Sequence, residues 1–178
     1  PIMNLNSTMN EAELTTAVRF LGIDPGLNRT GYALLQQSVK GPVLCEGGII
    51  RSNQEANLAA RVHEIASGIR EVIAEYQPDV MVIEQVFTTP RFPKSSIIMA
   101  HARGAILFAA HDAGVPVVHY TPTQIKKLIT GSGRASKEQM QHAIKTELGL
   151  KAILEPNDVA DAFAAALCHY HTIRVTCL

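Results

Sequence analysis

Two short apolar runs that each end on an acid restrict the fold more than any other feature of this chain. Phe20-Leu21-Gly22-Ile23 closes on Asp24, and Val80-Met81-Val82-Ile83 closes on Glu84. Both read as core strands, and the continuous run Val80–Ile83 as one covered on both faces, as inside an α/β sheet. A carboxylate at the end of a buried strand costs several kcal/mol unless it is paired or bound to a metal ion. The fold has to bring a partner to both strand ends.

The remaining elements follow from punctuation and period. Arg19–Ile23 is the first strand, stopped by Asp24-Pro25-Gly26. Thr30–Leu35 and Val43–Ile50 are the next two, separated by Gly41-Pro42. Leu58, Val62, Ile65, Ile69, Val72 and Tyr76 then recur three or four apart, which is one face of a helix that ends before Pro78. Val80–Ile83 is the fourth strand. Gln85–Lys94 is a loop, and Ser95 or Ser96 is expected to cap a helix running to about Ala113, closed by Gly114. Val115–Tyr120 is the fifth strand, Thr121 or Thr123 opens a short helix, Ser136 caps another to Glu147, and Asn157 caps a last one to about His171. Three strands in sequence followed by β-α units predict a mixed α/β sheet with helices on its faces.

A length of 178 residues fits one domain. Residues 1–17 are taken as a poorly ordered N-terminal extension and residues 18–178 as the folded domain. No basic region followed by an apolar core opens the chain, so no secretory leader is expected. The longest apolar runs, Ala105–Ala110 and Ala162–Cys168, are far short of the ~20 residues that span a bilayer. Cys45, Cys168 and Cys177 have neither paired nor metal-type spacing, which fits free thiols in a reducing cytoplasm.

The formal net charge is zero, but it is unevenly spread. Between Gln85 and Thr146 stand Arg91, Lys94, Arg103, Lys126, Lys127, Arg134, Lys137 and Lys145 against only Asp112 and Glu138. A basic half beside an acidic half can bind a polyanion at neutral net charge. A solvated surface is the plainer account of the charges taken alone.

Asp158 and Asp161 join Asp24 and Glu84 as candidates, because three-residue spacing puts both on one face of the last helix's first turn. Each acid also has an ordinary account. Asp24 before Pro-Gly is a turn former, Glu84 can pair with an arginine, and Asp158 and Asp161 suit a helix N-terminus. Brought together by the fold, they would make an oxygen-only cluster whose mutual repulsion calls for a multivalent cation. Hard oxygen donors without nearby Cys or His suit Mg²⁺ or Mn²⁺ rather than Zn²⁺. Two such ions about 3.5–4 Å apart form the clamp used for in-line phosphodiester hydrolysis.

These residues resemble the RuvC family of bacterial Holliday junction resolvases. The resemblance is carried by Leu21-Gly22-Ile23-Asp24-Pro25-Gly26 with Thr30-Gly31-Tyr32, and by Gln77-Pro78-Asp79 with Ile83-Glu84-Gln85-Val86-Phe87. Ala102-Arg103-Gly104, Gln124-Ile125-Lys126, Gly131-Ser132-Gly133 and Asp158-Val159-Ala160-Asp161-Ala162 continue it, in the family's order, from about Arg19 to His171. It implies an RNase H-like fold, a five-stranded mixed sheet with helices on both faces, in which the first and fourth strands are neighbours. It implies an endodeoxyribonuclease that resolves four-way DNA junctions by paired symmetric cuts, acting as a homodimer with the branch-migration proteins RuvA and RuvB. Asp24, Glu84, Asp158 and Asp161 match the acids that hold Mg²⁺ or Mn²⁺, two per active site. Phe87 matches an aromatic that contacts bases at the junction centre, and Lys126 and Lys137 match lysines that contact DNA. The loop Thr88–Lys94, with Pro90 and Pro93, departs from the family's usual loop; Arg91 and Lys94 are its candidate DNA contacts.

Two other classes fit the same residues less well. An actin-like phosphotransferase shares this core and an opening Asp-x-Gly, but needs a second copy of the core, for which one domain is too short. A non-catalytic junction-binding module would have lost the acids, and all four are present.

Overall fold

The computed structural model describes residues 17–85 and 93–176. The expected N-terminal extension, apart from Ala17, lies outside the described residues. So do Phe87, Arg91 and Cys177.

Five strands form one mixed sheet. They are β1 (Arg19–Asp24), β2 (Arg29–Ser38), β3 (Gly41–Arg51), β4 (Val80–Glu84) and β5 (Val117–Tyr120), in the order β3-β2-β1-β4-β5. β1, β2 and β3 are antiparallel neighbours; β1–β4 and β4–β5 are parallel. This is the mixed sheet that the sequence implied, with first and fourth strands adjacent.

The helices are α1 (Leu58–Tyr76), α2 (Pro93–Asp112), α3 (Pro122–Thr130), α4 (Lys137–Glu147) and α5 (Asn157–Thr176). Among the described residues no helix is long and apolar enough to cross a membrane. Helix starts follow local chemistry. The Asn57 side chain accepts from the Ala60 N–H, and Thr121 with Gln124 and Ser136 with Gln139 form reciprocal capping boxes.

Several boundaries depart from expectation: β2 runs on to Ser38, and Gly41-Pro42, expected to separate the strands, opens β3. α2 begins at Pro93, ahead of Ser95 and Ser96, because proline's fixed φ and missing donor suit a first helical turn. β5 begins only at Val117: the Val115 N–H is used to close α2 on Ala110, and Pro116 has no N–H for the ladder. α5 runs on past His171 to Thr176.

Side chains alternate across β1 and β4 and build two cores. Phe20, Val80 and Val82 pack with Ala33, Leu35 and the apolar side of α5. Leu21, Ile23, Met81 and Ile83 pack with Ile65, Ile69 and Ile73 of α1 and Ala102, Ile106 and Ala109 of α2. The continuous apolar character of β1 and β4 thus reflects burial on both faces. α5 lies unusually close to the sheet. A Cβ on Gly22 would stand 1.9 Å from the Ala162 carbonyl oxygen, and one on Gly31 would stand 2.1 Å from that of Asp158. The missing side chains let α5 settle onto β1 and β2, with Val159, Ala162, Phe163 and Ala166 fully buried.

α2 differs. It packs on α1 and β5, and Ile97, Ile98 and Phe108 remain 56%, 44% and 61% exposed. Gly104 is not a close-packing step: a Cβ there would meet open space.

Candidate active site

The parallel pairing of β1 with β4 runs from Phe20↔Val80 to Ile23↔Ile83. One step further, Asp24 and Glu84 stand side by side at the carboxyl ends of the two strands. By alternation they share the face of Phe20 and Val82, the side covered by α5. The first two turns of α5 bring Asp158 and Asp161 to the same place, at a height fixed by the contact with Gly31.

Electrostatics records the convergence. The Asp24 carboxyl is pushed up to about 7, first by burial and then by the negative charges of Asp161, Glu84 and Asp158; Lys137 pulls the other way. Glu84 is also raised, first by burial and then by Asp161, while Lys126 opposes the rise. Two strand-end carboxyls raised by burial and by the neighbouring acids mark a site short of positive charge. The deficit is partly met by side chains. Arg29 Nη2 lies 2.5 Å from Asp158 Oδ2, and Lys137 Nζ lies 3.1 Å from Asp161 Oδ2. With two of the acids drawn to cationic partners, no three Asp, Glu, His or Cys side chains among the described residues form a ready metal shell. The donor set nevertheless suits a hard divalent cation: carboxylates only, two on rigid strand ends and two on one helix face.

Lys126, half-buried in α3, opposes the rise at Glu84, and Lys137, exposed in the first turn of α4, bonds Asp161. Lys94 is exposed in the first turn of α2. Phe87 and Arg91 fall outside the described residues. His169 bonds Tyr120 at 2.9 Å and His171 pairs with Glu147 at 2.6 Å, in keeping with structural and surface roles.

Arg103, which the sequence placed only in the basic stretch and a family motif, reaches from α2 to the Glu84 carbonyl (3.4 Å) and to His119 Nδ1 (2.8 Å), steadying the end of β4. Arg29 escaped sequence reasoning, since it lies outside the basic stretch and in no motif.

The family model "Crossover junction endodeoxyribonuclease RuvC" matches residues 20–169. A protein of that description from Rhodopirellula baltica is 51% identical over 153 residues, covering 84% of this chain and 85% of its own length. One from a Shewanella strain is 43% identical over 152 residues, with 85% and 86% covered. The solved structure of Thermus thermophilus RuvC in complex with Holliday junction substrate superposes with a TM-score of 0.82 at 31% identity, covering 89% of this chain and 96% of that one. The sheet and its helices are therefore RNase H-like, as the resemblance implied.

Proposed function

The chain belongs to the RuvC family of crossover junction endodeoxyribonucleases, and on that premise we propose that Asp24, Glu84, Asp158 and Asp161 are its catalytic, metal-holding acids. The observation that carries this reading is the convergence of Asp24 and Glu84 on neighbouring strand ends with Asp158 and Asp161 on the first turn of the overlying helix, close enough for all three others to raise Asp24. Such a site fits Mg²⁺ or Mn²⁺, two per active site. When bound, the cation supplies Lewis-acid polarisation of the scissile phosphate and a more acidic water. The protein's own part is to place and charge the acids. Strand register aligns Asp24 with Glu84, the small residues beneath α5 set the depth of Asp158 and Asp161, and Lys126 favours the ionised form of Glu84. The reaction exchanges one phosphodiester P–O bond for a P–O bond to water.

Lys126 and Lys137, with Arg91 and Lys94, are assigned to the DNA backbone, and Phe87, three residues after Glu84, to an unpaired base at the junction centre. Two protomers meeting on α2 would supply the two sites that paired, symmetric cuts need. Exposed Ile97, Ile98 and Phe108, and the open space over Gly104, are what support that contact. We assign the protein to the cytoplasm, alongside RuvA and RuvB; Cys45 and Cys168 are free thiols. The test is cleavage of a synthetic four-way junction with and without divalent cation. Cation-dependent paired nicks are expected, and an inert protein in Mg²⁺ and Mn²⁺ would overturn the reading.

A further inference from the structure

Arg29 stands at the mouth of the acid cluster without an evident structural duty. It opens β2, and its ion pair with Asp158 is open to water, the two side chains being 42% and 30% exposed. A pair so exposed adds little to fold stability. Nor does it place the helix, because the backbone contact between Gly31 and Asp158 already does so. What Arg29 does govern is access to the Asp158 carboxylate, which a divalent cation in this site would need.

The surroundings say where the guanidinium can go when displaced. Arg29 and Lys137 line one open polar pocket of about 410 Å³, together with Glu155, Pro156, Asn157 and Asp158. Both basic side chains are tied to an acid of the cluster, Arg29 to Asp158 and Lys137 to Asp161. Neutralising those acids by other means frees two positive charges in one place, beside the acid cluster. A planar, permanently charged guanidinium in such a pocket is suited to two-point contact with a phosphate.

We propose that Arg29 is a positioning residue that changes partner: it holds the Asp158 carboxylate in the cation-free protein, and binds a backbone phosphate of the junction once Asp158 is engaged by a divalent cation. This rests on the junction-cleaving reading above. It makes Arg29 a competitor of the cation when DNA is absent and its ally when DNA is present, a reversal that a purely structural ion pair would not produce.

The test uses the full chain, as wild type, Arg29→Gln and Arg29→Lys. Calorimetric titration with Mn²⁺ in the absence of DNA should show Arg29→Gln binding severalfold more tightly than wild type. Junction affinity measured against salt in Ca²⁺ should give Arg29→Gln a log–log slope shallower by roughly 0.9, one phosphate contact, with Arg29→Lys restoring it. Without divalent cation the slopes of wild type and Arg29→Gln should coincide. Equal Mn²⁺ affinities, or equal slopes in Ca²⁺, overturn the proposal. If wild type itself neither binds nor cuts the junction, the functional reading fails instead.

Discussion

Gly31 lies against the backbone of Asp158 so closely that one added carbon would stand 2.1 Å from the Asp158 carbonyl oxygen. A strand residue with no side chain thereby sets the position of an acid 127 residues later in the chain. Because the obstacle is helix backbone rather than a flexible side-chain tip, Gly31→Ala has to push α5 away from β2. Overpacking of this kind costs about 1–3 kcal/mol. Gly31→Ala should melt several degrees lower than wild type and lose junction cleavage even at temperatures where it remains folded. Normal cleavage by a folded Gly31→Ala variant would show that the height of Asp158 does not matter.

Asp24 predicts how stability depends on pH. Its carboxyl is raised to about 7 in the folded protein, against about 3.9 in an unfolded chain. The folded state therefore holds this proton more tightly than the unfolded state does. The associated stability is complete below the unfolded value and is lost as pH rises through about 7. In chelator, the wild-type melting temperature should fall between pH 5 and pH 8. Asp24→Asn should flatten that fall, and Mg²⁺ or Mn²⁺ should reverse it for wild type. Parallel melting curves for wild type and Asp24→Asn would contradict the crowding of charge inferred here.

Lys126 and Lys137 should separate by their secondary effects. Lys126→Ala and Lys137→Ala should each lower the log–log salt slope of junction binding by roughly 0.9. Lys126 also holds the Glu84 pKa down. Its removal should move the acid limb of the pH–rate profile to higher pH, since cleavage needs Glu84 ionised. Unchanged slopes would return both lysines to an ordinary solvated surface.

α2 should be the dimer contact. Sedimentation at micromolar concentration should give about twice 19.3 kDa. Ile98→Glu with Phe108→Glu should give monomers that nick one strand without a coordinated partner cut. Phe108 also sits under Arg70, 5.6 Å from the ring, so Arg70→Ala controls for loss of that stacking alone. A monomeric wild type that still makes paired cuts would refute the assignment.

Much of this architecture was readable before any coordinates. The apolar runs into Asp24 and Glu84 marked core strands, and the period from Leu58 to Tyr76 located α1 at the bounds observed. Capping residues Thr121 and Ser136 set two helix starts through local hydrogen bonds. Bounds slipped where proline chemistry intervened, at Pro93 and Pro116. The convergence of the acids was implied by resemblance, but the means were not legible. That Gly22 and Gly31 act by the space they leave depends on which helix lies over them, a contact between distant parts of the chain. Arg29 was missed for the same reason, because only the fold brings it to Asp158.

The most direct measurement of the central claim compares Asp24→Asn, Glu84→Gln, Asp158→Asn and Asp161→Asn with wild type on one synthetic four-way junction, scoring cleavage and binding in parallel. Each variant should lose more than the roughly 10–100-fold that removal of an outer-shell partner costs a metal site. Each should keep near-wild-type junction affinity, because affinity comes mainly from phosphate contacts. Near-normal cleavage by Asp24→Asn or Glu84→Gln would contradict the account.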